Sequence, residues 1–348
     1  MKNTLMLLAV FVVLAACVLT TADAANKSRI GTAGAQELLI PVGGRGVALG
    51  GSSMVFSAGV DAIYWNPAGL GRMEHSVEAL VSQMKYIADV NVTYGALGVS
   101  AGEFGTLGFT LKSVSFGDIP VTTTLFPDGT GELYSPTFLT MGVTYSKLLT
   151  DRISVGVTAN IVSERILSLN ASGFAVNFGI QYQNLAIQGL SVGIAVRNIG
   201  PTIQFDGSNL LVTANASNSL RGTQTYAVQA AAFSLPSSME IGLGYTRKLD
   251  EKNGILLGAT FRNNNFQDDE YNLGAEYNFN NLVFIRGGYT LAPQTDKDLT
   301  GAQSYIYDYS LGAGVHQEVG GVDLTFDYAY RHVRYFDGNN VVSLRIGF

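Results

Sequence analysis

The chain has 348 residues with 21 Lys or Arg and 27 Asp or Glu, so charged side chains make up 14%, against roughly 25% in ordinary soluble domains. Much of its surface is therefore built to meet something other than water, while a net charge of −6 and a pI near 5.1 argue against a nucleic-acid binder, which carries a basic patch and a high pI. One Cys excludes a disulfide framework or a multi-Cys zinc site, and 41 Gly, 17 Tyr and 18 Phe against 8 Pro point to short strands and tight turns.

Residues 1–24 read as a secretory signal. Lys2 supplies the positive start, Leu5 to Leu19 is an almost unbroken apolar run, and Ala22-Asp23-Ala24 offers a small-x-small cleavage site. Leu14-Ala15-Ala16-Cys17 also fits a lipobox, which would leave a lipidated Cys17 as the first mature residue; both readings stay open. Beyond residue 25 there is no stretch of 18 consecutive apolar residues, so no transmembrane helix is expected. A soluble all-β protein and a membrane β-barrel remain.

Residues 25–75 do not alternate like strands. They hold three Gly-rich or turn-rich stretches, Gly31 to Pro41, Gly43 to Gly51 and Asp61 to Leu70, and the single Trp, Trp65. Gly permits close approach and positive φ, and Asn66-Pro67 favours a turn entering a short helix with Pro in its first turn. A packed, irregular insert in a pore, a plug, is expected to look like this. The Gly43 to Gly51 cluster lacks the Gly-Lys-Ser/Thr ending of a phosphate loop, so no nucleotide or other cofactor is expected there.

From residue 76 onward, segments of about ten residues alternate apolar and polar with period two, the strand signature. Fourteen strands are read at 76–84, 91–100, 104–116, 137–148, 152–165, 172–183, 190–199, 237–249, 254–264, 270–279, 282–291, 305–317, 321–333 and 340–348. Links after even-numbered strands are short, and the long ones, Gly117 to Pro136, Gly200 to Pro236 and Ala292 to Ser304, follow odd-numbered strands. An even count, loops sorted by length and both termini on the short-turn side are what outer-membrane barrels require. The even count depends on Thr223 to Ser234 being loop. Tyr245, Phe279, Tyr289, Tyr307 and Phe348 lie near strand ends on the apolar parity, where aromatic girdles belong, and the terminal Phe348 resembles the end signal read by bacterial barrel-assembly machinery.

The opposite parity, the expected lumen, carries Glu240, Arg262, Glu276, Arg286, Asp308, Asp323, Asp327, Arg331 and Arg345. Cross-strand ion pairs are the plain explanation for both signs on one face; a selectivity or ligand role is the other. Gly242, Gly244, Gly258, Gly274 and Gly288 leave room inside for water, a ligand or the plug. No catalytic or metal constellation competes. His75, His316 and His332 stand in no H-E-x-x-H frame, and Ser310 and His316, six apart on one strand, are separated by roughly 20 Å.

The succession Ala33-Gly34-Ala35-Gln36, Leu39-Ile40-Pro41-Val42-Gly43, Arg45-Gly46-Val47-Ala48-Leu49-Gly50-Gly51 and Asp61-Ala62-Ile63-Tyr64-Trp65-Asn66-Pro67-Ala68-Gly69-Leu70 closely resembles the N-terminal region of PorV/PorQ-family outer-membrane proteins. That family is related to FadL-type long-chain fatty acid transporters, whose N-terminal hatch has an Asn-Pro-Ala motif, matched here by Asn66, Pro67 and Ala68. The motifs cover residues 33–70 only. The resemblance implies a 14-stranded barrel with the N-terminal segment in its lumen, and Pro41, Arg45, Gly50, Asp61, Trp65, Asn66, Pro67, Ala68 and Gly69 as its plug motif. It also implies a link to type IX secretion.

The expectation is thus an all-β protein, a 14-stranded antiparallel transmembrane β-barrel of the bacterial outer membrane, with a signal at 1–24, a plug at 25–75, a barrel at 76–348, and no enzymatic activity or cofactor. Two functions fit: an interaction component that presents loops to a secretion translocon and its cargo, and, as the alternative, a FadL-like passive transporter of a hydrophobic small molecule. The charge-rich, Gly-rich lumen face favours the first; an apolar pocket against Leu38, Leu39, Ile40 or Trp65 would favour the second.

Overall fold

Period-two alternation puts every second side chain on the same face of a strand, and a sheet apolar on one face and polar on the other hides its edges by closing on itself. In the computed structural model, which describes residues 29–215, 222–293 and 305–348, the chain does this with fourteen antiparallel strands. They are β1 Val77–Lys85, β2 Asn91–Ser100, β3 Thr106–Ser115, β4 Thr137–Leu148, β5 Ile153–Ile166, β6 Leu169–Tyr182, β7 Leu190–Ile199, β8 Ser238–Lys248, β9 Asn253–Asn264, β10 Glu270–Phe279, β11 Val283–Leu291, β12 Tyr307–Val319, β13 Val322–Val333 and β14 Asn339–Gly347. Each pairs with its neighbours in sequence, and β14 closes the ring on β1, with Val81 opposite Leu344. The signal segment, including Cys17, lies outside the described residues.

Observed strand ends fall within three residues of those read from the pattern. Short turns (101–105, 149–152, 183–189, 249–252, 280–282, 320–321) share one rim with the end of β14; the long loops 116–136, 200–237 and 292–306 share the other. That long-loop rim also has a two-residue connection, 167–168, with Leu167 at φ 55. Residues Gln224–Ala227 do form a strand, but it pairs with Leu211–Ala214 as a separate hairpin within the long loop, so the ring stays even.

The two faces separate as the parity demands. Outward, Phe326, Tyr328, Val342 and Leu344 stand exposed on β13 and β14, and Phe279, Tyr289 and Phe348 are exposed on the same side of the wall. Inward, Thr325, Asp327, Ala329 and Ser343 are buried. Tyr307 is the exception: a bulge between Tyr307 and Ser310 shifts the β12–β13 register. Its hydroxyl meets that of Tyr86 at 2.6 Å and the Arg331 guanidinium lies over its ring, so Tyr307 belongs to the interior and not to the outer girdle. One extra residue reverses parity, and an unaligned alternating pattern cannot reveal it.

Residues 29–76 enter at the long-loop rim, where Arg29 stacks over Phe266 and the Gly31 N–H donates to the Phe266 carbonyl, and leave at the short-turn rim into β1. Between, the segment makes single helical turns, and these share out the wall. Gly59–Asp61 touches β1 and β2, Pro67–Arg72 touches β3 to β6, Ser52–Val55 touches β7 to β10, and the short helix α1, Gly44–Ala48, touches β11 to β14. A segment can reach all fourteen strands of a closed ring only from inside it. A Cβ built at Gly242, Gly244, Gly258, Gly274 or Gly288 would come within 2.8 Å of residues 50–56, so the room these glycines leave is filled by the chain itself.

Candidate functional site

Asn66 shows how local sequence fixes the segment. Its Oδ1 accepts the Ala68 N–H (3.1 Å), capping the 3-10 turn Pro67–Arg72 with Pro67 at its start, and its Nδ2 donates to the carbonyls of Ile180 (3.1 Å) and Ile194 (3.4 Å) on β6 and β7. The capped turn is thereby tied to the wall. The Ser146 hydroxyl of β4 donates to the Ala68 carbonyl (2.9 Å), and Gly69 is packed so closely against the Ser57 carbonyl that a Cβ would sit 2.1 Å from it.

Ion pairs hold α1 on the other side. Arg45 forks onto Glu276 of β10, with Nε to Oε2 at 3.0 Å and a terminal nitrogen to Oε1 at 3.1 Å. Glu276 also accepts from Arg286 (2.6 Å), which donates to Asp327 (2.5 Å). Burial opposes the charge on Arg45, but the Glu276 and then the Asp61 carboxylate outweigh it and raise its pKa further above the ordinary guanidinium value. Asp61 itself pairs with Arg345 at 3.5 Å.

A second buried chain runs Arg197–Glu240–Arg262–Glu270, at 3.1, 3.0 and 2.8 Å. Asp323 accepts from His75 (2.6 Å), with His316 at 3.6 Å, and His332 pairs with Asp308 (2.6 Å). Ser310, Asp308 and His316 thus go to three different partners, because the Ser310 hydroxyl donates to the Ala48 carbonyl. Among the described residues no group of three or more His, Cys, Asp or Glu is placed to hold a metal ion.

Between the segment and the wall of β9 to β13 lies a recess of about 40 Å³. Leu39, Pro41, Val47 and Gly50, with Tyr64 and Trp65 of the helical turn Ala62–Trp65, line it from the segment; Arg262, Glu270, Tyr305, Tyr307, Asp308 and Arg331 are among the residues facing them. The Trp65 indole reaches it because Gly46 has no side chain: a Cβ there would lie 2.2 Å from the indole nitrogen. At roughly 10–15 Å³ per water this space holds about three waters. It combines apolar and aromatic walls with two guanidinium groups and the carboxylates of Glu270 and Asp308, the chemistry that suits a small amphiphilic or aromatic molecule.

Leu38, Leu39, Ile40 and Trp65, the sequence-level candidates for an apolar pocket, divide here. Leu39 and Trp65 line the recess, Leu38 packs with Val162 and Ile203, and Ile40 packs with Met84, Val92 and Val114 under Tyr86, Phe116 and Phe138. Sequence reasoning missed Glu37, Tyr64, Lys112, Glu164 and Arg197. The usable signal was an ionisable residue on the inward parity of β3, β5 and β7, as in the later strands.

No protein-family model and no curated protein matches the sequence. Solved structures similar to it include the monoaromatic hydrocarbon channel CymD (TM-score 0.52, 14% identity, covering 88% of this chain and 97% of that one). The toluene transporter TodX of Pseudomonas putida is similar as well (TM-score 0.52, 12% identity, 86% and 96%), as is a FadL homologue of Pseudomonas aeruginosa (0.47, 14%, 88% and 98%). What the chain shares with CymD and TodX is the fold: the chain is a multi-pass outer-membrane β-barrel, and those two proteins are described as a channel and a transporter. The PorV/PorQ resemblance of residues 33–70 has no counterpart among these matches.

Proposed function

We propose that this protein is a passive transporter of small hydrophobic molecules across the outer membrane, with residues 29–76 as the plug that gates it. The observation that carries the reading is the aromatic recess at the interface between the segment and the wall, where moving the segment would widen a path lined by Tyr64, Trp65, Tyr305 and Tyr307. At about 40 Å³ the recess is too small for a hydrocarbon ligand, so passage requires the segment to shift. The fold it shares with hydrocarbon channels supports the reading, which displaces the secretion role expected from the N-terminal motifs.

Trp65 is the single Trp of the chain, so its fluorescence reports on the recess alone. Titration of the purified protein with toluene is expected to change Trp65 emission saturably, and proteoliposomes carrying the protein are expected to take up toluene faster than empty ones. Linear, non-saturable emission changes together with no excess uptake would sink the proposal.

A second reading, docking of a secretion partner, draws on the exposed apolar residues of two external hairpins, Leu125, Phe126 and Leu133 in one and Leu211, Val212 and Tyr226 in the other. Its test is a mild-detergent pull-down from native outer membranes, expected to recover a translocon or cargo protein in stoichiometric amount.

A further inference from the structure

The turn Gln36–Leu39 presents Glu37 to the wall, where it meets Glu164 of β5. Glu37 is 2% exposed and Glu164 4%. Neither carboxylate oxygen of Glu37 has an N–H or O–H donor among the described residues. Glu164 has the Ala35 N–H as a donor, which favours its ionised form, so Glu37 is the carboxyl left to hold a proton: the two repel when both are ionised and bond when one is protonated.

The other charged and titratable groups around the pair are already committed. Lys112 of β3 donates to the main-chain carbonyls of Glu37 (2.6 Å) and Ile40 (2.5 Å), not to the carboxylate. Arg197 of β7 is bound to Glu240 and, like Lys112, lies over the Tyr64 ring. Tyr64 donates its hydroxyl to the carbonyls of Leu38 and Leu39. The external loop over this end packs Ile203, Phe205, Phe233 and Leu235 against Leu38 and Val162, and its acid, Asp206, is exposed and pairs with Asn170 at the start of β6.

We propose that Glu37 and Glu164 form a proton-dependent latch that holds the turn Gln36–Leu39 against the wall and keeps the neighbouring recess shut. Leu39 and Pro41, immediately after the latch, line the recess, so releasing the turn widens it. As a statement about gating this rests on the transporter reading; as a statement about the turn it stands alone.

The direction of the effect follows from linkage. Burial, then the Glu164 carboxyl, push Glu37 up to about 8 when the turn is docked. In the released turn, in water, it returns to an ordinary value near 4.3. Below that value both forms hold the proton and the latch is at full strength. Between it and about pH 8 only the docked form holds the proton, so docking weakens by up to tenfold per pH unit; above about 8 the loss is complete and levels off. On release the proton passes to solvent.

The test is hydrogen exchange, read by mass spectrometry, on the full chain in detergent micelles from pH 6 to 9, corrected for intrinsic exchange. The reporters are the N–H groups of Leu38 and Ile40, bonded to the carbonyls of Ala35 and Glu37. Wild-type protection here is expected to fall by up to tenfold per pH unit to about pH 8 and then to level off. Glu37→Gln, which removes the titrating group and supplies an amide donor at every pH, is expected to be flat, and Glu164→Gln, which leaves Glu37 buried but gives its carboxylate a donor, is expected to have a shallower slope than wild type. A flat wild-type profile, a slope that survives in Glu37→Gln, or one undiminished in Glu164→Gln would overturn the latch. Toluene quenching of Trp65 in the same samples separates the two proposals: a sloped profile without saturable quenching keeps the latch and removes the transporter, and quenching with a flat profile does the reverse.

Discussion

At Asn66 a single side chain makes one local and two long-range bonds, and it is fully buried in doing so. Removing such a group leaves the Ala68 N–H without its acceptor in a dry interior, which costs about 1–3 kcal/mol. Asn66→Ala is therefore expected to speed hydrogen exchange of the Ala68 N–H by roughly ten- to a hundredfold, while the wall strands keep their protection. A change under twofold would mean that the Pro67–Arg72 turn is held by Ser146 and packing alone. The Asn-Pro dipeptide was legible in the sequence as a turn start because the local chemistry suffices for that. Its second half was not, because the partners Ile180 and Ile194 lie more than a hundred residues away.

Strand by strand, depth in the membrane decides what an outward residue tolerates. Leu344 is 41% exposed near the middle of β14, and Val319 is 56% exposed at the short-turn end of β12. Arg near the bilayer midplane costs about 2–4 kcal/mol and at the interface about 0–1. Leu344→Arg is thus expected to lower the stability of the lipid-refolded barrel, measured by denaturant titration, by about 2–4 kcal/mol, and Val319→Arg by less than about 1. Equal losses would contradict the membrane position assigned to the wall. These elements were readable because period two is a local property of each strand. The β12 bulge was not, since it is a relation between two strands: Tyr307, outward by parity, turns inward only when paired with β13. Glu164 and Lys112 escaped for a related reason, since parity places them inward but their meaning depends on the turn at Glu37.

Across the whole molecule, the N-terminal segment is a strap that crosses the lumen from the long-loop rim to the short-turn rim, and its fastenings differ in kind. Near the long-loop rim it is held by the Glu37–Glu164 pair and by Lys112 on two carbonyls; further along, Arg45 is forked onto Glu276. Charge on Arg45 is secure at any working pH, because neighbouring carboxylates raise its pKa. That fastening is insensitive to protonation where the first is not, so mild alkali should loosen one end of the strap and leave the other fixed. Removing Arg45 should do the opposite. Arg45→Ala leaves Glu276 with Arg286 as its remaining cation and cuts the bidentate link; losing one partner of a buried pair costs about 3–5 kcal/mol. That cost falls on docking of α1, because the wall's hydrogen-bonded ring does not depend on it. The expected outcome is a rise in single-channel conductance in planar bilayers with little change in the unfolding midpoint, and partial closure restored by Arg45→Lys, which returns the charge without the fork. A variant as closed as wild type would show that capping at Asn66 and packing of residues 49–56 hold the segment without the ion pair, and would leave the long-loop end as the only place to seek a gate.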